Sequence, residues 1–215
     1  CELVADLMCH EKALFLPSGT MCNQIALAVH CKSGDEVIAD ATSHIITSEV
    51  GGAASIAGAM IRPLHGINGI FEASQVEEGL RPAVRHAPKS RLVVVEQTSN
   101  LGGGTVWPLE TLSAVATMAK QNNLIVHMDG ARLMNAVVAS GISAKEYAAC
   151  TDTAWIDLSK GLGCPIGGVL TGSVGFIEEA WYWKQRLGGA MRQSVMMAAA
   201  GLFALENNVS LLEED

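Results

Sequence analysis

Short, almost uninterrupted apolar runs recur along the chain, each separated from the next by a stretch with helical spacing. Residues 92–95 read LVVV, 124–128 LIVHM, 153–158 TAWIDL and 168–171 GVLT, and a shorter run lies at Val37-Ile38-Ala39. Runs of this length without polar alternation are strands buried on both faces, as in a parallel sheet covered by helices on either side. Helical periodicity fills the intervals over 22–32, over 108–122 opening on Pro108, and over 175–187 and 194–206. The small-residue stretch 45–60 reads as one more, tightly packed helix. Alternating strands and helices specify an α/β fold, a doubly wound and mainly parallel sheet.

Composition agrees with two buried sheet faces. Of 215 residues, 49% are hydrophobic and 17% charged, against about 25% charged in ordinary globular chains. The net charge of −8 disfavours nucleic acid and anionic membrane as partners. No apolar run reaches the ~18 residues of a membrane span, and no signal peptide is visible. Cys1, Cys9, Cys22, Cys31, Cys150 and Cys164 form no CxxC pair and no zinc-like grouping. They read as reduced, mostly buried thiols in a cytoplasmic setting. The histidines make no HxH, HxxxH or HExxH pattern, so no metal site is expected. Trp181, Tyr182 and Trp183, with Met191, Met196 and Met197 downstream, read as core or subunit interface. Cys1 sits in helix-like text and the last residues read as a continuing helix, so truncation at both ends is expected.

In open α/β sheets ligands sit beyond the carboxyl ends of the strands. That singles out Asp129-Gly130-Ala131-Arg132, Ser159-Lys160-Gly161 and Glu96-Gln97-Thr98-Ser99-Asn100. Lys160 stands in a loop of small and apolar residues. Desolvation there would free its amine for Schiff-base chemistry with a cofactor aldehyde, or the side chain reaches out to water along its own stem. Asp129 is placed either to face a pyridinium nitrogen or to cap a helix and pair with Arg132. Ser18-Gly19-Thr20, ahead of the helix at 22–32, offers backbone N–H groups to an anion or serves as an ordinary N-cap. Neither the phosphate-binding GxxxxGK[ST] loop nor GxGxxG is present.

Taken together these stretches resemble the low-specificity L-threonine aldolase family, within the pyridoxal-phosphate fold type I enzymes and their β-eliminating lyase relatives. The resemblance is carried by Phe15-Leu16-Pro17-Ser18-Gly19-Thr20-Met21 with Asn23-Gln24, by Gly34-Asp35-Glu36-Val37-Ile38, and by Ser43-His44-Ile45. It continues through His127-Met128-Asp129-Gly130-Ala131-Arg132, Ser159-Lys160-Gly161-Leu162-Gly163-Cys164-Pro165 and Gly188-Gly189-Ala190-Met191-Arg192-Gln193. These motifs cover nearly the whole chain in the family's order.

The resemblance implies pyridoxal 5'-phosphate as cofactor, with residues 1–215 as the cofactor-binding large domain and an N-terminal segment and small C-terminal domain missing. It implies a β-hydroxy-α-amino acid substrate, L-threonine or L-allo-threonine, cleaved to glycine and an aldehyde. A homo-oligomer, dimer or tetramer, with shared active sites is implied as well. Lys160 would carry the cofactor as a Schiff base, Asp129 would pair with the ring nitrogen, and His44 would stack on the ring near the substrate hydroxyl. Ser18, Gly19 and Thr20 would hold the phosphate. Arg132 would bind the substrate carboxylate, and Arg192 would reach a phosphate across a subunit interface. One departure stands out. Where family members carry histidine in a Glu-Asn-Thr-His-Asn context, this chain reads Glu96-Gln97-Thr98-Ser99-Asn100. Ser99 is expected at the substrate. It is a poor base, so the proton falls to His44, a water or the cofactor phosphate, or substrate preference differs; the alternatives are another β-eliminating lyase chemistry and a non-catalytic fragment that contributes only to assembly.

Overall fold

In a computed structural model, residues 1–214 are described. The strands are β1 (Lys12–Leu16), β2 (Glu36–Asp40), β3 (Met60–Leu64), β4 (Ser90–Glu96), β5 (Ile125–Gly130), β6 (Thr153–Asp157) and β7 (Gly168–Gly172). The helices are α1 (Glu2–Met8), α2 (Gly19–His30), α3 (His44–Thr47), α4 (Gly52–Ser55) and α5 (Ala73–Gly79). They continue with α6 (Leu109–Gln121), α7 (Leu133–Ser140), α8 (Ala144–Ala148), α9 (Val174–Arg186) and α10 (Val195–Asn207), before a 3₁₀ turn over Val209–Glu214.

The seven strands form one sheet in the order β1-β7-β6-β5-β4-β2-β3. From β3 to β6 neighbouring strands run parallel. β7 is antiparallel to both β6 and β1, so GVLT is a buried strand of the opposite sense. Successive side chains enter opposite cores, as the two-residue strand period requires. Val93 and Val95 face one side with Val126, Met128 and Ile156. Leu92 and Val94 face the other with Val37 and Ala39, while Trp155 joins Cys22, Ile25 and Leu170.

Two features differ from the sequence reading. The stretch 45–60 is not one helix but two short ones and the start of β3. Val50, Gly51 and Gly58 adopt left-handed φ of 52°, 70° and 65°, which no continuous helix accommodates. Strands β1 and β3, at the two sheet edges, were not read as strands from sequence; β1 is a short, mostly buried run of five residues. β3 is largely uncovered and carries Arg62 and Pro63. Cys22, Cys31 and Cys164 are buried free thiols, whereas Cys1 and Cys9 are exposed. Trp181 and Tyr182 are exposed on α9 rather than in the core. Among the described residues no helix is long and apolar enough to cross a membrane.

Candidate active site

Because β2, β4, β5 and β6 run parallel, their carboxyl ends open on one side of the sheet. A cavity of about 270 Å³ lies there, lined by Gly19, Thr20, His44, Glu96, Asn100, Asp129, Ala131, Arg132, Trp155, Asp157 and Lys160. Six residues singled out from sequence, Gly19, Thr20, His44, Asp129, Arg132 and Lys160, therefore meet in one place. Ser18 stands just outside as the N-cap of α2, its hydroxyl accepting the Met21 N–H at 3.2 Å. Gly19 is required by packing: a Cβ there would lie 2.2 Å from the Trp155 indole. Gly130 is required likewise, because its Cβ would come within 2.1 Å of the Trp155 carbonyl oxygen on the paired strand.

Asp129 sits at the end of β5, 2% exposed. It accepts hydrogen bonds from the Asn23 side-chain amide at 2.7 Å and from the Ala131 N–H at 3.1 Å. Burial and the nearby Glu96 charge nevertheless push its pKa up to about 7, with Glu49 adding to the repulsion. His44 begins α3, directly after the turn that follows β2. Its backbone N–H donates to Glu96 at 2.8 Å, and the other Glu96 oxygen accepts the Asn100 N–H at 2.9 Å. Glu96 thus ties the His44 turn to the loop after β4. The His44 ring lies 2.9 Å from Glu49 through Nδ1, and this contact raises its pKa above the ordinary histidine value. Glu49 also accepts from Asn23 at 2.7 Å, while its Oε2 is buried without a partner.

Lys160 follows β6 in a turn held by Asp157, whose Oδ1 accepts the Lys160 N–H at 2.9 Å and the Ser159 hydroxyl at 2.8 Å. The Lys160 ammonium stands 3.9 Å from Asp157 Oδ2 and 5.8 Å from the centre of the Trp155 ring. The side chain lines the cavity beside Trp155 and is 37% exposed, so it is not desolvated in this structure. Arg132 opens α7, its N–H donating to the Gln97 carbonyl at 3.1 Å.

Two expected site residues lie elsewhere. Ser99 is buried beside Gly69 and Gly102, lining a separate small space with Thr42, Ser43 and Phe71. Its hydroxyl is 1.9 Å from where a Cβ on Gly69 would stand, so the close approach of Ser99 depends on Gly69 having no side chain. Arg192 is exposed in the turn before α10, away from the cavity lining. Conversely, Glu49 and Asp157 were not picked out from sequence, and Asn23 and Glu96 stood in the quoted motifs without a role of their own. The available signal was a polar residue on the apolar face of α2 (Asn23) and an acid among small residues (Glu49).

The protein-family model described as "Beta-eliminating lyase" matches residues 1–215. The low specificity L-threonine aldolase of Escherichia coli (strain K12) is 40% identical over 215 residues, covering 100% of this chain and 64% of that protein. Low-specificity L-threonine aldolase 1 of Arabidopsis thaliana is 38% identical over 218 residues, covering 100% of this chain and 61% of its own length. The chain thus spans somewhat under two thirds of these relatives. A Listeria monocytogenes EGD-E structure assigned as an L-allo-threonine aldolase superposes with a TM-score of 0.88 at 26% identity, over 99% of this chain and 58% of that one. The Leishmania major threonine aldolase structure shares the fold with a TM-score of 0.85 at 23% identity, over 97% of this chain and 62% of its own. With residues 1–215 matched by the family model and the fold shared, the chain belongs to the β-eliminating lyase family.

Proposed function

We propose that this chain is the cofactor-binding domain of a pyridoxal-phosphate-dependent aldolase that cleaves L-threonine or L-allo-threonine to glycine and an aldehyde. One observation carries the reading. Asp129 is an enclosed carboxylate beside Glu49 and Glu96, it opens on a cavity that also holds Lys160, and its pKa is pushed up to about 7. A buried anion in acidic company needs a cation to stay ionised. A protonated pyridine ring supplies one, and Lys160 is at hand for its aldehyde. The residues therefore fit pyridoxal phosphate.

When bound, that cofactor provides an electron sink for the pair released as the Cα–Cβ bond breaks. The chain's own residues do the rest. Lys160 would hold the cofactor aldehyde through its amine, and Asp129 would face the ring nitrogen and favour its protonated form. Ser18, Gly19 and Thr20, at the positive end of the α2 dipole, receive the phosphate. Arg132 holds the substrate carboxylate as a fork. His44 takes the proton from the β-hydroxyl: Nδ1 is engaged by Glu49, which leaves the other ring nitrogen to accept it. Ser99 lines the adjoining space that shares Glu96 with the cavity, so the proton falls to His44 in this reading. Trp181, Tyr182, Met196 and Phe203 are exposed on α9 and α10, supporting a homo-oligomer in which Arg192 reaches a partner's phosphate.

The test is to add pyridoxal phosphate, reduce with borohydride and map the modified peptide, in wild type and Lys160→Ala. A label on Lys160, absent in the variant, together with glycine and acetaldehyde from L-threonine, is the expected result. Ammonia and a keto acid as products would replace the aldolase reading with β-elimination. No label on Lys160 would overturn the cofactor assignment.

A further inference from the structure

Behind Asp129 lies a buried polar chain that the reaction does not touch. Asn23 is fully buried on α2. Its Oδ1 accepts from the Trp155 indole N–H at 2.8 Å. An indole nitrogen only donates, so the orientation of the Asn23 amide is settled: oxygen toward Trp155, both N–H bonds toward the acids. Those two hydrogens go to Asp129 Oδ2 and Glu49 Oε1, each at 2.7 Å. His127 Nε2 also approaches Asn23 Oδ1, at 3.4 Å, while its Nδ1 lies 2.9 Å from the Thr153 hydroxyl. The same hydroxyl lies 2.9 Å from His30 Nε2.

One donor direction satisfies the whole chain. His30 donates to Thr153, Thr153 to His127, His127 to Asn23, and Asn23 to Asp129. It requires the His127 imidazole to be neutral, since its Nδ1 accepts, while His30 only donates. Burial presses the pKa of His127 down to about 3 and that of His30 to about 4, so both are neutral throughout the physiological range. Aligned donors polarise one another, which strengthens the last bond in the line.

We propose that Asn23 is a positioning residue, and that the His30–Thr153–His127 chain behind it makes its amide a strong enough donor to keep Asp129 ionised against the cofactor's ring nitrogen. This rests on the cofactor reading above. Without the donor, Asp129 takes the proton from the ring and the ring loses its power as an electron sink. Of the other groups around Asp129, only the Ala131 N–H also favours its ionised form, and it contributes less than Asn23. Glu49 between α3 and α4, Glu96 at the end of β4 and the Cys22 thiol on α2 all favour the protonated carboxyl or add no positive charge. His44, Arg132 and Lys160 line the open cavity and are committed to the cofactor and substrate.

The experiment loads pyridoxal phosphate, ¹⁵N-labelled at its ring nitrogen, onto the intact protein and records the nitrogen chemical shift. Wild type, Asn23→Ala, Thr153→Val and Thr153→Ser are compared. Wild type is expected to show a protonated nitrogen. Asn23→Ala moves the signal toward the unprotonated value and weakens cofactor binding about tenfold. Thr153→Val, which interrupts the chain without touching Asn23 or the cavity, moves it the same way by less. Thr153→Ser restores the hydroxyl and the wild-type signal. Variants that carry the Lys160-bound cofactor with an unchanged ring signal would overturn the proposal. Failure of wild type to bind cofactor at Lys160 is a failure of the functional reading instead. In that case a carbon-NMR titration of Asp129 in the cofactor-free protein decides. A higher Asp129 pKa in Asn23→Ala sustains the role of the amide, and an unchanged one ends it.

Discussion

Nδ1 of His44 stands 2.9 Å from Oε1 of Glu49, the imidazole a third exposed to the cavity and the carboxylate fully enclosed. The pairing gives a half-open histidine a permanent anionic partner. The Glu49 hydrogen bond is the main cause of its raised pKa, partial burial opposes it, and the charges of Asp129, Glu49 and Glu96 reinforce it. Glu49→Gln removes the charge and keeps the shape. If His44 is the base, activity climbs with pH as His44 loses its proton. In Glu49→Gln that climb moves to lower pH by about one unit, and kcat falls about 10- to 100-fold because the base is weaker. A pH–rate profile of wild type and variant measures both.

Asp129 makes the cofactor-free protein sensitive to pH. Its folded-state pKa of about 7 lies above the ordinary aspartate value of 3.8. The folded state therefore holds a proton that the unfolded chain has already released, and stability falls as pH rises from about 4 to about 7. Asp129→Asn removes this slope. Urea midpoints across that range, without cofactor, should decline for wild type and be flatter for the variant. The variant should also lose most of its affinity for pyridoxal phosphate.

Gly130→Ala tests the close contact of β5 with β6. The added methyl would meet the Trp155 carbonyl oxygen at 2.1 Å, and a sheet backbone cannot swing aside as a side chain does. A loss of about 3 kcal/mol is expected, at the upper end for overpacking. A thermal melt should read it as a drop of about 10 °C.

Ser99→Ala should leave kcat and KM for L-threonine within about twofold, because the hydroxyl lines a different space from Lys160 and Asp129. Ser99→His, the side chain the resemblance leads one to expect, should instead destabilise the fold against Gly69 and Gly102. Steady-state kinetics on the first variant and a melt on the second separate these outcomes.

The runs around Leu92–Val95, Ile125–Met128 and Ala154–Ile156 were legible as strands because burial on both faces leaves no polar alternation. Once the strands are placed, Asp129 and Lys160 follow, since parallel strands present their carboxyl ends on one side. The Ser18-Gly19-Thr20 turn was legible as a helix start because an N-cap has a local signature. What tertiary structure alone decided is the chemistry between distant residues. Asn23 meets Asp129 across 106 positions and Trp155 across 132, separations at which neither spacing nor periodicity carries information. β7 looks in sequence like any other buried strand, because direction within a sheet leaves no mark on its apolar pattern. Ser99 occupies a position in the family's motif, yet the side chain turns to a neighbouring space set by Gly69 and Gly102. Sequence determined which groups stand at the strand ends. Packing determined which of them face one another, because that depends on how α2, β5 and β6 close on Trp155.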